Sequence, residues 1–96
     1  MVEVVIASPA ELEYVEALCW YAERSLRAAE RFDHEFDEAI RLIASNPEWF
    51  PSCDARHRWL LMRRFPYQII YRLNSAGVTV VAVAHTSREP NYWHGR

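Results

Sequence analysis

The stretch YQIIYRLNSAGVTVVAVA, residues 67–84, decides the fold of this 96-residue chain. Its two ends, Tyr67 to Leu73 and Val78 to Ala84, are rich in aromatic and β-branched residues, and Asn74-Ser75-Ala76-Gly77 between them is typical of a hairpin turn. The preceding stretch, Arg58 to Phe65, has the same character and predicts a further strand. Because the connections between these strands are short, they predict an antiparallel sheet.

The two hairpin strands differ in how much of their surface is apolar. In the first strand, apolar residues alternate with Gln68 and Arg72, so one face belongs to the core and the other is partly wet. The second strand is apolar on both faces. If helices cover only one side of the sheet, we expect the face around Val81 and Val83 to stay open until a partner covers it.

The first half of the chain predicts one short strand, Val2 to Ile6, followed by helix. Ser8 is suited to be the N-cap, with Pro9 at the first helical position and Glu11 completing a capping box. A stripe with helical spacing follows and predicts the buried face of the helix. It consists of Leu12, Val15, Cys19, Ala22 and Leu26, widened by Tyr14, Leu18 and Tyr21.

A second helical stripe runs to Asn46-Pro47, where the residue before proline is pushed out of the helical region. It consists of Ala29, Phe32, Phe36, Ile40 and Ile43. Nothing stronger than Ser25 separates the two stripes, so one long helix and a helical hairpin are both compatible with the pattern. We favour the hairpin, because a domain this small cannot cover a helix of that length.

These elements predict a single α+β domain over residues 1–96. An N-terminal strand and a helical hairpin precede a three-stranded antiparallel sheet, in the order β-α-α-β-β-β. No apolar run is long enough to cross a bilayer, and no signal peptide is recognisable, so we expect a cytoplasmic protein. Cys19 and Cys53 do not predict a disulfide, and Cys19 is interpreted as core. Cys53, Asp54 and His57 are too few to predict a metal site, and no cofactor is expected.

Charge is divided between the two halves of the chain. Residues 1–55 carry twelve carboxylates and four arginines, net -8, whereas residues 56–96 carry seven arginines and Glu89 alone, net +6. Lysine is absent. Arginine's planar group binds carboxylate or phosphate through paired hydrogen bonds, so the pattern predicts a surface in the second half that recognises an acidic partner.

The ending of the chain carries a family resemblance. The segments Arg64-Phe65-Pro66-Tyr67 and Ala82-Val83-Ala84-His85, and the tail from Arg88-Glu89-Pro90 to Tyr92-Trp93, follow a helix-rich first half. Together they resemble the RelE/ParE superfamily, the toxins of bacterial type II toxin-antitoxin modules. The resemblance implies either a ribosome-dependent mRNA endoribonuclease of RelE type or a ParE-like toxin of plasmid-stabilisation modules that poisons DNA gyrase.

The residues expected of a ribonuclease decide between these alternatives. RelE-type enzymes have two lysines on one strand and an arginine on the next. At the positions that resemble these, this chain has Trp59, Leu61 and Gln68, so the three cations are absent. Arg88 and Tyr92 remain, with His85, Arg64 and His94 as possible substitutes, and a register slip of one residue could present Arg58 or Arg63. Losing one positioned cation costs about 2.7 to 4 kcal/mol of transition-state stabilisation, so losing three would make the site inert.

We therefore favour a ParE-like gyrase inhibitor that acts by protein binding. If the chain is instead a ribonuclease, with ribosome and mRNA as its partners, its catalytic residues are His85, Arg88 and Tyr92; a third possibility is an inactive, toxin-like binding module. The resemblance also implies a ParD-like or RelB-like antitoxin in a hetero-oligomer. We expect that antitoxin to cover the open sheet face. The residues predicted to bind antitoxin or target are Arg58, Arg64, Arg72, His85, Arg88, Tyr92 and Trp93.

Overall fold

A computed structural model describes all 96 residues. The elements are β1 (Val4–Ile6), α1 (Ser8–Arg24), α2 (Leu26–Ser45), β2 (His57–Leu61), β3 (Tyr67–Asn74) and β4 (Gly77–His85). The predicted α+β order β-α-α-β-β-β is therefore confirmed. Strands β2, β3 and β4 form the predicted antiparallel sheet, and β1 adds a fourth strand that pairs in parallel with β4, giving the order β1-β4-β3-β2.

The hairpin alternative for the two helices is correct. Ser25 separates α1 from α2 with extended backbone angles, and its hydroxyl accepts a hydrogen bond of 3.1 Å from the Ala28 backbone N–H. This is the interaction of an N-cap residue. The predicted end of the second helix is also confirmed, since α2 stops at Ser45 with Asn46 as its C-cap. No helix of the protein is both long enough and apolar enough to span a membrane.

The predicted capping box at the start of α1 is wrong by one residue. Ala7 is the cap and makes no side-chain hydrogen bond, and Ser8 already belongs to the helix. The reason lies in the sheet. The Ala7 N–H donates to Val80 O at 2.9 Å, while Ala7 O accepts the Glu11 N–H at 2.9 Å, so pairing of the chain with β4 fixes where the helix begins.

The stripe predicted to bury α1 is wrong in its main row and correct in the residues that widen it. Leu12, Val15, Cys19 and Leu26 are exposed, whereas Ala10 and Ala17 are buried. Tyr14, Leu18 and Tyr21 pack against the core, as predicted. Helix α1 has apolar residues on two opposite sides. The side with two alanines faces the sheet, because small side chains allow the helix backbone to approach β4 closely.

The stripe predicted for α2 is confirmed. Phe32 and Ile43 have no exposed surface, and Ala29 and Phe36 are buried beside them. Phe32 lies at the centre of an aromatic cluster, with ring centroids 5.2 to 5.8 Å from those of Tyr14, Tyr21, Phe65 and Tyr67. This cluster joins both helices to β3 and forms the main core of the molecule.

Strand β2 is shorter than the predicted Arg58 to Phe65. It ends at Leu61, and the backbone N–H groups of Arg63 and Arg64 turn away to the Glu35 carboxylate on α2. Strand β1 is likewise shorter than predicted, covering Val4–Ile6. The predicted hairpin between β3 and β4 is confirmed. Gly77 has a positive φ of 140°, and a Cβ there would collide with the Glu3 carbonyl, so only glycine lets β1 pass.

The sheet face expected to be open is covered by the chain itself. A β-bulge lies where Tyr71 pairs with Val80 but Ile70 pairs with Ala82, which turns Val81 away from the helices and keeps Val83 on the helix side. Val81 and Val83 are both buried. Val83 belongs to the main core, and Val81 packs with Ile70 and Trp93 in a second cluster on the other face. The prediction of an uncovered apolar platform is therefore wrong.

Candidate functional site

The candidate site is built by the eleven residues that follow β4. The chain leaves the sheet at His85, and a hydrogen bond of 2.8 Å from the Thr86 N–H to Pro66 O sets its direction. Asn91 has a positive φ of 63°, which turns the chain back across the sheet. The final residues, Tyr92 to Arg96, are called the C-terminal tail below. The tail covers the sheet face opposite the helices.

Glu13 on α1 holds the tail in place. Its carboxylate accepts hydrogen bonds from Tyr92 Oη at 2.5 Å and from Arg96 Nη1 at 2.9 Å, and it lies 3.5 Å from Arg88 Nη1. It also accepts the backbone N–H of Val83 at 3.0 Å. Strand β1 pairs with β4 only as far as Val80, so this edge of β4 has no strand partner beyond that point. Glu13 takes the place of a strand by accepting the Val83 N–H. One carboxylate thus joins helix, sheet and tail.

Arg88 and Tyr92, the two residues retained from the predicted ribonuclease set, come together at this carboxylate. The Arg88 guanidinium carbon lies 3.6 Å from the centre of the Tyr92 ring, in a cation–π arrangement. Burial and the hydrogen bond to Glu13 raise the pKa of the Tyr92 phenol above its ordinary value. A phenol that donates its hydrogen bond to a neighbouring carboxylate and resists ionisation is poorly suited to exchange protons with a substrate.

His85 lies beside Arg88 and Tyr92, and its Nδ1 is engaged by a nearby residue of the same turn. Its Nδ1 accepts the Ser87 backbone N–H at 3.0 Å and lies 2.7 Å from the Ser87 hydroxyl. A backbone N–H can only donate, so Nδ1 is the unprotonated nitrogen and Nε2 carries the hydrogen of the neutral ring. The ring packs edge-on against Tyr67. His85 therefore orders the turn after β4.

A cleft of about 270 Å³ separates the sheet from this turn. Trp59 and Gln68 line it together with His85 and Arg88. Strand β2 pairs Trp59 with Ile70 and Leu61 with Gln68, so the register slip that would present Arg58 or Arg63 does not occur. Of the arginines in the chain, only Arg88 lines the cleft. His94, another candidate substitute, lies 3.6 Å from the Asp54 carboxylate instead.

Three further residues predicted to bind a partner have internal contacts. Arg58 donates to the carbonyl oxygens of Glu48 and Phe50 at 3.1 and 2.8 Å, which fixes the loop after α2. Arg72 donates to the Arg96 carbonyl at 3.0 Å and holds the end of the tail. Trp93 is only 3% exposed and belongs to the second core cluster.

Arg64 is the predicted arginine that stays free. Its side chain is exposed, forms no ion pair, and lines a groove between α2 and the end of β2, with no part in the cleft beside His85. The predicted residues therefore divide into two places. His85, Arg88, Tyr92 and Trp93 belong to the tail and its turn, and Arg64 belongs to the groove.

Sequence reasoning missed Glu13 and Arg96. Glu13 is a carboxylate on the side of α1 that carries Ala10 and Ala17, and a charge on a buried helix face needs a partner. The apolar residues on the other side of the helix hide that signal, because their spacing also predicts a buried face. Arg96 donates to the Glu13 carboxylate and, at 3.1 Å, to Val81 O, so the last residue helps to close the β4 edge.

Asp54 organises the loop before β2. It accepts the backbone N–H groups of Arg56 and His57, both at 2.8 Å, and lies 3.0 Å from His57 Nδ1. These hydrogen bonds, led by that of Arg56, lower the pKa of Asp54 from 3.8 to about 2. No group of three or more His, Cys, Asp or Glu side chains is placed to hold a metal ion.

The comparisons with known proteins agree with this architecture. The fold is similar to that of a solved chain described as the chromosomal ParDE TA system from P. aeruginosa, with a TM-score of 0.64 and 13% identity, covering 88% of this chain and 96% of that one. No curated protein matches the sequence significantly. The family described as the ParE toxin of the type II toxin-antitoxin system parDE matches residues 4–90. The chain therefore belongs to the ParE toxin family, within the RelE/ParE superfamily.

Proposed function

We propose that this toxin acts in the cytoplasm by binding DNA gyrase, without cleaving RNA, and that a ParD-like or RelB-like antitoxin neutralises it. The gyrase target is the activity implied by resemblance to ParE-like toxins. The rival activity, mRNA cleavage on the ribosome, would need the groups around Arg88 and Tyr92 to be free for proton transfer and charge stabilisation.

The contacts of Glu13 are the observation that carries the proposal. This carboxylate is 10% exposed and engages Tyr92, Arg88 and Arg96 at once. A transferring phosphate would have to displace it before either arginine could stabilise new negative charge. The carboxylate would also repel that phosphate. The arrangement supports a structural role for these residues.

The lining of the cleft supports the same conclusion. Trp59 and Gln68 stand where the RelE-type resemblance implies cations, and neither can carry positive charge. Leu61 is also uncharged and is 49% exposed. A ribonuclease that has no metal ion depends mainly on preorganised positive charge to stabilise its transition state. Arg88 is the one arginine that lines the cleft, and it already pairs with Glu13.

Two assays with purified protein test the target. We expect the toxin to inhibit supercoiling of relaxed plasmid by gyrase and to leave mRNA intact on translating ribosomes. A matched variant, Tyr92→Phe, removes the hydroxyl that a ribonuclease would need but preserves the ring that packs against Arg88. Codon-specific scission of mRNA by the wild type, abolished in Tyr92→Phe, would overturn the proposal in favour of the ribonuclease.

The same assays, together with expression in a host, test the third alternative. An inactive binding module would leave both gyrase and mRNA unaffected, and its expression would not slow growth. Gyrase poisoning instead predicts filamentous cells and an induced response to DNA damage. Relief of that phenotype by co-expression of the neighbouring antitoxin gene is the expected result for a type II module.

A further inference from the structure

Helix α1 carries a row of apolar residues that the fold leaves in water. They are spaced three and four apart, as on a helix that packs along another helix. This row, called the outer stripe below, consists of Leu12, Val15, Cys19, Ala22 and Leu26. Leu12 and Leu26 are 60% and 71% exposed, and Cys19 is exposed as well. Because Ala10 and Ala17 form the buried side of α1, the outer stripe is free to bind a partner.

Carboxylates flank the outer stripe on α1. By helical spacing, Glu11 lies on one side of it and Glu16 on the other, and neither forms an ion pair. Glu23 follows on the same side as Glu16 and lies 3.9 Å from Arg24 Nη1. Arg24 is the one cation of α1, and it lies over the Trp20 ring, 3.7 Å from its centre. The charge beside the outer stripe is therefore negative.

Helix α2 adds carboxylates on the side that faces α1. The Asp33 carboxylate accepts a hydrogen bond from the Tyr14 hydroxyl. Burial, this hydrogen bond and the charges of Asp33 and Asp37 raise the pKa of Tyr14, so both carboxylates lie near α1. Asp37 also pairs with Arg41 at 3.1 Å. Arg27, near the start of α2, lines the groove on the other side of that helix and does not offset this charge.

This charge decides which kind of partner fits the outer stripe. A second copy of the chain, packed antiparallel about Cys19, would bring Glu16 close to the Glu23 of that copy, and like charges across an interface are unfavourable. An anionic lipid surface or a nucleic acid would be repelled for the same reason. A protein segment with lysine or arginine beside its own apolar residues would be attracted.

The surface of a helix also limits the form of that segment. The backbone groups of α1 bond to one another, so α1 offers a partner its side chains only. An added strand would find no backbone groups with which to pair. A helix satisfies its own backbone and can place apolar residues at a spacing that matches the outer stripe.

We propose that the outer stripe is the surface by which this toxin binds its protein target, and that it receives a basic amphipathic helix of that target. Apolar residues of the helix would cover Leu12, Val15 and Cys19, and its lysine or arginine residues would face Glu11 and Glu16. This proposal rests on the proposed function, which takes gyrase to be the target. It places target binding on a different side of α1 from the contacts that hold the C-terminal tail.

The first test removes apolar contacts. We expect Leu12→Gln/Cys19→Gln to weaken binding to purified gyrase by roughly tenfold or more, because two anchors lose their apolar surface. Inhibition of supercoiling should weaken by the same factor. The control is Trp49→Gln, which replaces an apolar side chain that is 75% exposed and lies outside the outer stripe. Circular dichroism melts verify that both variants fold. Unchanged affinity of the double variant would overturn the proposal.

The second test reverses a charge. Glu16→Arg should weaken gyrase binding by roughly tenfold at low salt, and the difference from the wild type should shrink as salt is added, because exposed charges are screened. The control is Glu48→Arg, which makes the same change at an exposed position outside the outer stripe. Equal weakening by the two variants would mean that gyrase responds to net charge alone, and would overturn a local contact.

Cys19 reports occupancy of the outer stripe in the wild-type protein. Gyrase should slow the alkylation of Cys19 by N-ethylmaleimide and leave that of the exposed Cys53 unchanged, as measured by mass spectrometry. Protection of Cys19 by the purified antitoxin, or by a dimer of the toxin alone, would overturn the choice of partner. Failure of the wild type to bind or inhibit gyrase would overturn both this proposal and the proposed function. Inhibition that the double variant retains in full would overturn this proposal alone.

Discussion

The two faces of the sheet are covered in different ways. On one face, the two helices pack on the sheet around a core of thirteen buried residues, with Phe32 and its aromatic neighbours at the centre. On the other face, a short tail contributes Trp93 to a cluster of five buried residues, and polar contacts of Glu13 and Arg72 hold that tail. The first face is stabilised mainly by apolar area, whereas the second depends on a few hydrogen bonds that keep one tryptophan in place.

The largest effect is expected on the helical face. Phe32→Ala should lower the free energy of unfolding by about 3 to 5 kcal/mol, since it empties a site that has no exposure and removes four aromatic contacts. Chemical denaturation followed by circular dichroism measures this. Leu12→Ala is the control. Because Leu12 is 60% exposed, this variant should change the free energy of unfolding by no more than about 0.5 kcal/mol. Equal losses for the two variants would contradict the observed orientation of α1.

A smaller loss is expected on the tail face. Trp93→Ala should cost about 2 to 3 kcal/mol, at or below the low end for a buried aromatic, because the tail can detach while the strand ladder survives. Hydrogen exchange should then become faster around Val81, on the edge of β4. The matched control is Trp49→Ala, since Trp49 is 75% exposed. Unfolding of the whole domain by Trp93→Ala would show that the two faces are one cooperative unit.

The difference between the faces also explains what could be predicted from the sequence. The helix-covered face follows from local patterns: the aromatic and β-branched runs on either side of Asn74-Ser75-Ala76-Gly77 predicted the hairpin, and the stripe through Phe32 and Ile43 predicted the buried side of α2. Such patterns predict burial well where an element has a single apolar side, because most buried positions are apolar.

The first helix shows why periodicity is insufficient. Leu12, Val15 and Cys19 have the spacing of a buried stripe, yet Ala10 and Ala17 face the sheet. Two apolar sides on one helix leave its rotation undetermined until the packing distance to β4 and the partners of Glu13 are known. The candidate site depended on the same unknown, so Arg88 and Tyr92 were found from the ending of the chain, whereas Glu13 was missed.

Removal of the Glu13 charge, which holds the tail, should lower the free energy of unfolding moderately. Glu13→Gln keeps the shape and an oxygen for the Val83 N–H but loses the charged partner of Arg88 and Arg96, at an expected cost of about 1.5 to 2 kcal/mol. The pKa of Tyr92 should also fall, since the carboxylate contributes to raising it. Spectrophotometric titration of the phenols measures that shift. Glu16→Gln, at an exposed position of the same helix, should change neither quantity.

The smallest effect concerns Asp54, which joins the loop before β2 to the tail through His94. Its pKa of about 2 lies below the ordinary 3.8, so the folded protein keeps this carboxylate ionised where the unfolded chain would protonate it. The stability that Asp54 contributes is therefore complete above about pH 3.8 and is lost as the pH falls toward 2. Denaturation of Asp54→Asn and wild type across this range should give curves that differ at pH 5 and converge in acid. The control is Glu89→Gln, which alters an exposed carboxylate without hydrogen bonds and should follow the wild type at every pH. A constant offset between wild type and Asp54→Asn would mean that the side chain acts by shape alone, and that its charge has no part in anchoring the tail.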